Sequence, residues 1–122
     1  MVQKSASRTQ ANLFYRSLIN MLDANDPLIA LADVVEWDRI IQKLEKYYDQ
    51  TNGRPGKPIR LMAGLLMLKQ LENLSDENVV LQWKRNPYYQ YFCGMSDYHS
   101  SLPCDPSELS QFRNVSVKKG SM

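Results

Sequence analysis

Asn78, Gln82 and Arg85 stand four and three residues apart, which puts them on one stripe of a helix. Asparagine and glutamine can pair bidentately with adenine, and arginine with guanine, so such a stripe has the side chains to read base edges in a major groove. Cations for the phosphates lie near it in the chain: Arg54, Lys57 and Arg60 ahead of the stripe, then Lys69, and Lys84 within it. No acid interrupts the run from Thr51 to Leu71. One feature opposes the reading. Asp76 and Glu77 fall in the first turn of the same helix, where they suit the helix dipole but repel phosphate. Two readings therefore fit: a DNA-reading helix, or a solvated helical pair in an ordinary α bundle. Pattern alone does not choose between them.

Other chemistry is thinner. Cys93, His99 and Cys104 offer two thiols and an imidazole in one loop-rich stretch, with Asp97 or Asp105 as a fourth donor. Zinc sites show paired close spacing such as C-x2-C, which is missing, so these read as a half-buried thiol pair and a surface histidine. With one histidine, no Gly-rich phosphate loop and no G-x-S-x-G, nucleophilic and nucleotide chemistry lack parts. The acids fall on helix caps and exposed faces. No active site, metal or cofactor is expected from the residues present.

The elements that must position the stripe follow from periodicity and caps. The 122 residues, 43% of them hydrophobic, suit one domain with a modest core, and the net charge of +2 is too mild to argue for nucleic acid by itself. Residues 1–11 are polar and read as a flexible N-terminus. Leu13, Phe14, Leu18, Met21 and Leu22 make an amphipathic helix from Asn12 to Leu22. Pro27 opens a short helix through Ala32. Asp33 with Glu36 three residues on predicts a capping box for a helix from Val34 to Tyr48, burying Trp37, Ile40, Ile41, Leu44, Tyr47 and Tyr48. Turn residues make 49–57 a loop.

Ile59 to Leu71 is apolar nearly all round and belongs at the centre of an α domain. A break at Glu72-Asn73-Leu74 leads to Ser75, the N-cap of a helix reaching Asn86 with Val79, Val80 and Trp83 on its buried side. Pro87 stops that helix, and the aromatics Tyr88, Tyr89, Tyr91 and Phe92 follow. Met95–Ser101 reads as a loop. Asp105, Pro106 and Glu108 then start a short helix through Leu109 and Phe112. The fold class is all-α, about six helices containing a helix-turn-helix-like pair. The longest apolar run, Leu65–Leu68, ends at Lys69 and cannot span a membrane. The polar N-terminus is no secretory signal, and two free thiols favour a reducing, cytoplasmic setting.

Three blocks, DPLIALADVVEWDRI, GRPGKPIRLMAGLLMLKQLENLSDENVVLQWKRNPYYQYFCG and LPCDPSELSQFRN, resemble the N-terminal region of bacterial insertion-sequence transposases of the insertion-sequence-five type, with an InsH-like N-terminal domain. The resemblance runs in order from Leu13 to Asn114. It implies a helical DNA-binding domain, residues 12–114, that recognises terminal inverted repeats. In the family this domain precedes an RNase H-like core whose DDE carboxylates cut and join DNA with a divalent metal. Residues 115–122, VSVKKGSM, depart from the family's continuation and read as a divergent tail, as a truncation, a frameshift product or an excised piece of a longer chain would show. None of the family's catalytic carboxylates has a counterpart in these residues, and Asp105 matches a cap position. The expectation is thus a DNA-binding domain that is no enzyme by itself, holds no cofactor, and has double-stranded DNA at the element's ends as partner. The alternative is an interaction module using the Tyr88–Phe92 aromatics for self-association, or for pairing with and inhibiting full-length transposase. A decayed remnant would read the same way.

Overall fold

A computed structural model describes residues 18–50 and 56–120, the side chains of 49, 50 and 115–120 excepted. Seven helices occur among these residues: α1 (Leu18–Met21), α2 (Pro27–Val34), α3 (Trp37–Gln50), α4 (Ile59–Glu72), α5 (Asp76–Arg85), α6 (Pro87–Phe92) and α7 (Pro106–Gly120). The all-α expectation holds. Most starts carry the residues that should start them, because the first amides of a helix lack partners inside it. Asp26 accepts from the Leu28 amide with Pro27 behind it, and Ser75 accepts from the Asn78 amide at 3.0 Å. Asp105 accepts from the Ser107 amide as N-cap, while Glu108 Oε1 reaches back to accept from the Asp105 amide at 2.8 Å, the reciprocal bond of a capping box.

Four local expectations need correction. The Asp33–Glu36 box does not form. α2 runs through Asp33 to Val34, and the Asp33 carboxylate accepts from the Tyr91 hydroxyl at 3.1 Å, a partner 58 residues away. α3 therefore starts later, at Trp37, with Glu36 spent on Arg39 at 2.7 Å. Pro87 ends α5 but also opens α6, since Asn86 accepts from the Tyr88 amide and proline at the first position gives up no needed donor. α7 is no short helix. Its run continues through residues 115–120. Of the helix expected from Asn12 to Leu22, Leu18–Met21 is observed, Leu22 falls just past it, and residues 12–17 lie outside the described residues.

α4 is the hub. Its Ile59, Leu61, Met62, Ala63, Gly64, Leu65 and Leu68 are buried, and α3, α5 and α7 all pack against it. α5 passes the core on to α6 and α7, and α2 lies along α6. Trp37 meets Phe92 edge-on at 5.2 Å, and Tyr48 stacks on Phe112 at 5.7 Å. A fully buried Leu, Val or Phe contributes about 1.5–3 kcal/mol, against about 1 kcal/mol for a cap. Leu65, Leu68, Val79, Phe92 and Leu109, each with no exposed surface, therefore outweigh the caps in holding the bundle. α4 approaches Cys93, the residue that follows α6, so closely that a Cβ on Gly64 would sit 2.7 Å from its Sγ and 3.0 Å from its Cα.

The junction between α4 and α5 is three residues, Asn73–Ser75. Asn73 turns the chain in the left-handed region (φ 56, ψ 56), which asparagine tolerates better than most residues. The amides of Asn73 and Leu74 both donate to the Lys69 carbonyl and close the end of α4.

Candidate nucleic-acid interface

α5 presents two faces with opposite chemistry. Val79, Val80 and Trp83 point into the core with at most 2% of their surface exposed. On the other side Asn78, Gln82 and Arg85 are exposed together with Lys84. Among the described residues none of these four side chains has a hydrogen-bond or ion-pair partner, so each is free to meet a ligand. Leu81 lies one step round the same face and is 40% exposed. An apolar side chain there suits the methyl group of thymine. Sequence reasoning passed over Leu81 because a leucine in a helix is usually core.

The opposing acids are unequal in the structure. Arg113 of α7 grips Asp76 through one nitrogen, at 2.6 and 2.8 Å from its two oxygens, and Lys69 Nζ stands 3.9 Å away. The first-turn charge that weighed against DNA is thus neutralised inside the molecule, leaving Glu77 as the exposed acid. Arg113 was missed because its partner is 37 residues distant in sequence. No local spacing could reveal it.

The remaining cations separate. Arg54 lies outside the described residues. Lys57 is half-buried and lines, with Ile41 and Glu45 of α3, a crevice at the start of α4. Arg60 has work inside the fold. Its guanidinium sits 4.3 Å above the Trp37 ring, Nη2 donates to the Phe92 carbonyl at 3.4 Å, and burial lowers its pKa. Gly94 (φ 92) leaves the room this side chain needs, since a Cβ there would lie 2.9 Å from Arg60 Cδ. Asn78, Gln82 and Arg85 therefore share one stripe of α5, with Lys84 exposed about 100° round the helix from Arg85, whereas Lys57 and Arg60 line the α3–α4 side.

Of the aromatics after Pro87, Tyr89 and Phe92 are buried, while Tyr88 and Tyr91 are half-buried with their hydroxyls tied to other parts of the fold. The Asp23 amide donates to the Tyr88 hydroxyl, and Tyr91 donates to Asp33. Tyr89 donates to Glu72 at 2.9 Å, and burial followed by that carboxylate pushes its pKa up to about 12. Cys93 and Cys104 are both buried, free thiols. Burial drives Cys93 well above the ordinary thiol range and Cys104 to about 11, so neither is a ready nucleophile or metal ligand. Among the described residues no three His, Cys, Asp or Glu side chains gather closely enough to hold a metal ion. No described helix is long and apolar enough to cross a membrane.

The profile of a transposase domain family, DUF772, matches residues 16–115. The chain belongs to that family. An uncharacterized protein of Rhizobium meliloti, ORF8 in the nfe locus, is 37% identical over 102 residues, covering 84% of this chain and 49% of that protein. This transposase domain thus spans about half the length of the curated relative it matches. No solved structure matches it. The family resemblance expected from the LSDENVV and NPYYQYFCG blocks is therefore met, and both blocks lie in the helices that build the exposed ridge and its support, α5 and α6.

Proposed function

We propose that this transposase domain binds duplex DNA at the terminal inverted repeats of its element, with α5 as the reading helix of a helix-turn-helix-like pair. The observation that carries the proposal is the division of α5: a core face of Val79, Val80 and Trp83, and an exposed, unpartnered ridge of Asn78, Gln82 and Arg85. Asn78 and Gln82 supply adenine contacts, Arg85 a guanine contact, and Lys84 a phosphate contact. Lys57, with Arg54, adds cationic attraction, while Arg60 acts mainly through the fold. Affinity falls as salt rises, through release of counterions from the duplex.

The domain binds and does not cut. Five of its described acids hold structural posts: Asp26 and Asp105 cap helices, Asp76 pairs with Arg113, and Asp33 and Glu72 accept from tyrosines. It works in the cytoplasm, beside the catalytic half of a longer transposase. The pairing alternative draws less support, because Tyr88, Tyr89, Tyr91 and Phe92 make their bonds and contacts within the domain. Gel-shift titration against the element's own end and against a scrambled duplex tests the proposal. Preference for the end is expected; equal affinity for both at every salt concentration contradicts it.

A further inference from the structure

Gln90 is the buried polar residue of the described core, with no exposed surface. Its carboxamide does one thing: it fastens the segment after α6 to the end of α5. Nε2 donates to the Trp83 carbonyl at 3.0 Å and to the His99 carbonyl at 2.8 Å, while Oε1 accepts from the His99 amide at 2.7 Å. A second tie lies beside it, where the Tyr98 hydroxyl donates to the Lys84 carbonyl at 2.9 Å. A third contact sets the His99 ring 6.2 Å from the ring of Trp83. Residues 98–99 are thereby laid across the last turn of the helix that carries Arg85. His99, Ser100 and Ser101 remain exposed there.

This arrangement covers the carbonyl end of the helix. The last carbonyls of a helix carry the negative end of its dipole and would repel a phosphate. Gln90 and Tyr98 cover two of them, at Trp83 and Lys84, with donors. Lys84 and Arg85 close the helix to which residues 98–99 are tied, and the exposed His99, Ser100 and Ser101 add imidazole and hydroxyl groups, the latter of the kind that commonly meet phosphate and sugar oxygens. One acid, Asp97, lies on the other side of Tyr98 in the chain.

We propose that His99, Ser100 and Ser101 form a strap, positioned by Gln90, that grips phosphates flanking the base pairs met by α5. The inference rests on the DNA-binding reading above and extends it to a surface outside the helical pair. The strap positions and does not read, so it affects all duplexes alike, whereas Arg85 affects the preferred end most.

Anisotropy titrations of the whole chain against the end duplex and a scrambled duplex, at two salt concentrations, separate these roles. Ser100→Asp adds an anion at the exposed strap and should weaken both duplexes by roughly tenfold at low salt, with their ratio unchanged. His99→Ala should weaken both by a smaller, equal factor. Gln90→Met should do the same with the exposed side chains intact, circular dichroism first establishing that it folds; the two surface variants decide the matter if it does not. Wild-type affinity in both Ser100→Asp and His99→Ala, with the end preference lost in Arg85→Ala, overturns the strap and leaves the α5 reading standing. Equal binding of both duplexes by the wild type, still weakened by Ser100→Asp, removes the base reading and keeps the strap. No binding to either duplex removes both.

Discussion

The exposed ridge of α5 and the buried seam around α6 hold the same kinds of side chain and use them in opposite ways. Arg85 and Arg60 are both arginines that the sequence placed in a DNA-contacting set. Arg85 stands exposed without a described partner, whereas Arg60 lies over Trp37 and donates to the Phe92 carbonyl. Gln82 and Gln90 differ likewise: one is free at the surface, the other wholly buried with three close backbone bonds. Residue type sets what a side chain can bind. Whether the fold has already used that capacity decides what it does bind.

The widest separation between the two regions should come from Gly64. A side chain there must enter the contact between α4 and Cys93 at the end of α6, so Gly64→Val should cost about 3 kcal/mol, the upper range of overpacking. Urea unfolding measures this, and a neutral result would mean the seam is looser than the Gly64–Cys93 approach implies. Next come the two arginines as a crossed pair. Arg60→Ala should lose about 2 kcal/mol of stability with little change in DNA preference, from its ring contact and hydrogen bond. Arg85→Ala should stay within about 0.5 kcal/mol in stability yet lose about 1–3 kcal/mol of discrimination between the element end and other sequences. If the two exchanged their effects, the roles of ridge and seam would be inverted.

Alkaline pH should act on the seam alone. Tyr89, Cys93 and Cys104 have folded-state pKa values raised above their unfolded ones, so the fold favours their protonated forms. Their contribution is complete below the unfolded values, near 9 for the thiols and 10 for the tyrosine, and is lost as pH rises through the folded ones, toward about 12 for Tyr89. Denaturant midpoints should be flat from pH 7 to 8 and fall between pH 9 and 12, and a thiol reagent should label Cys93 only after unfolding. Ready labelling of Cys93 in the native protein would break this. The smallest effect belongs to Lys57. Lys57→Ala should weaken end and scrambled duplexes alike and lower the salt slope by about 1. A loss confined to the element end would show that Lys57 reads sequence.

Much of the architecture was legible because its causes are local. Ser75, Asp105 and the proline after Asp26 announce helix starts, and the apolar surround of 59–71 marks the central helix. The Asn78–Gln82–Arg85 stripe follows from spacing once Val79, Val80 and Trp83 are known to face inward. What escaped was set by partners far apart in the chain. Tyr91 took Asp33 away from a capping role, Arg113 neutralised Asp76, and Phe92 with Trp37 took up Arg60. α6 was missed for another reason: a proline that ends one helix can begin the next when the residue before it caps.

Amide chemical-shift mapping of the domain on addition of the element's end duplex tests the central claim most directly. Shifts should concentrate at Asn78, Leu81, Gln82, Lys84 and Arg85 and in the strap at His99–Ser101, with Arg60, Tyr91 and Phe92 unmoved. Shifts centred on the α2–α6 seam, with α5 silent, would contradict it.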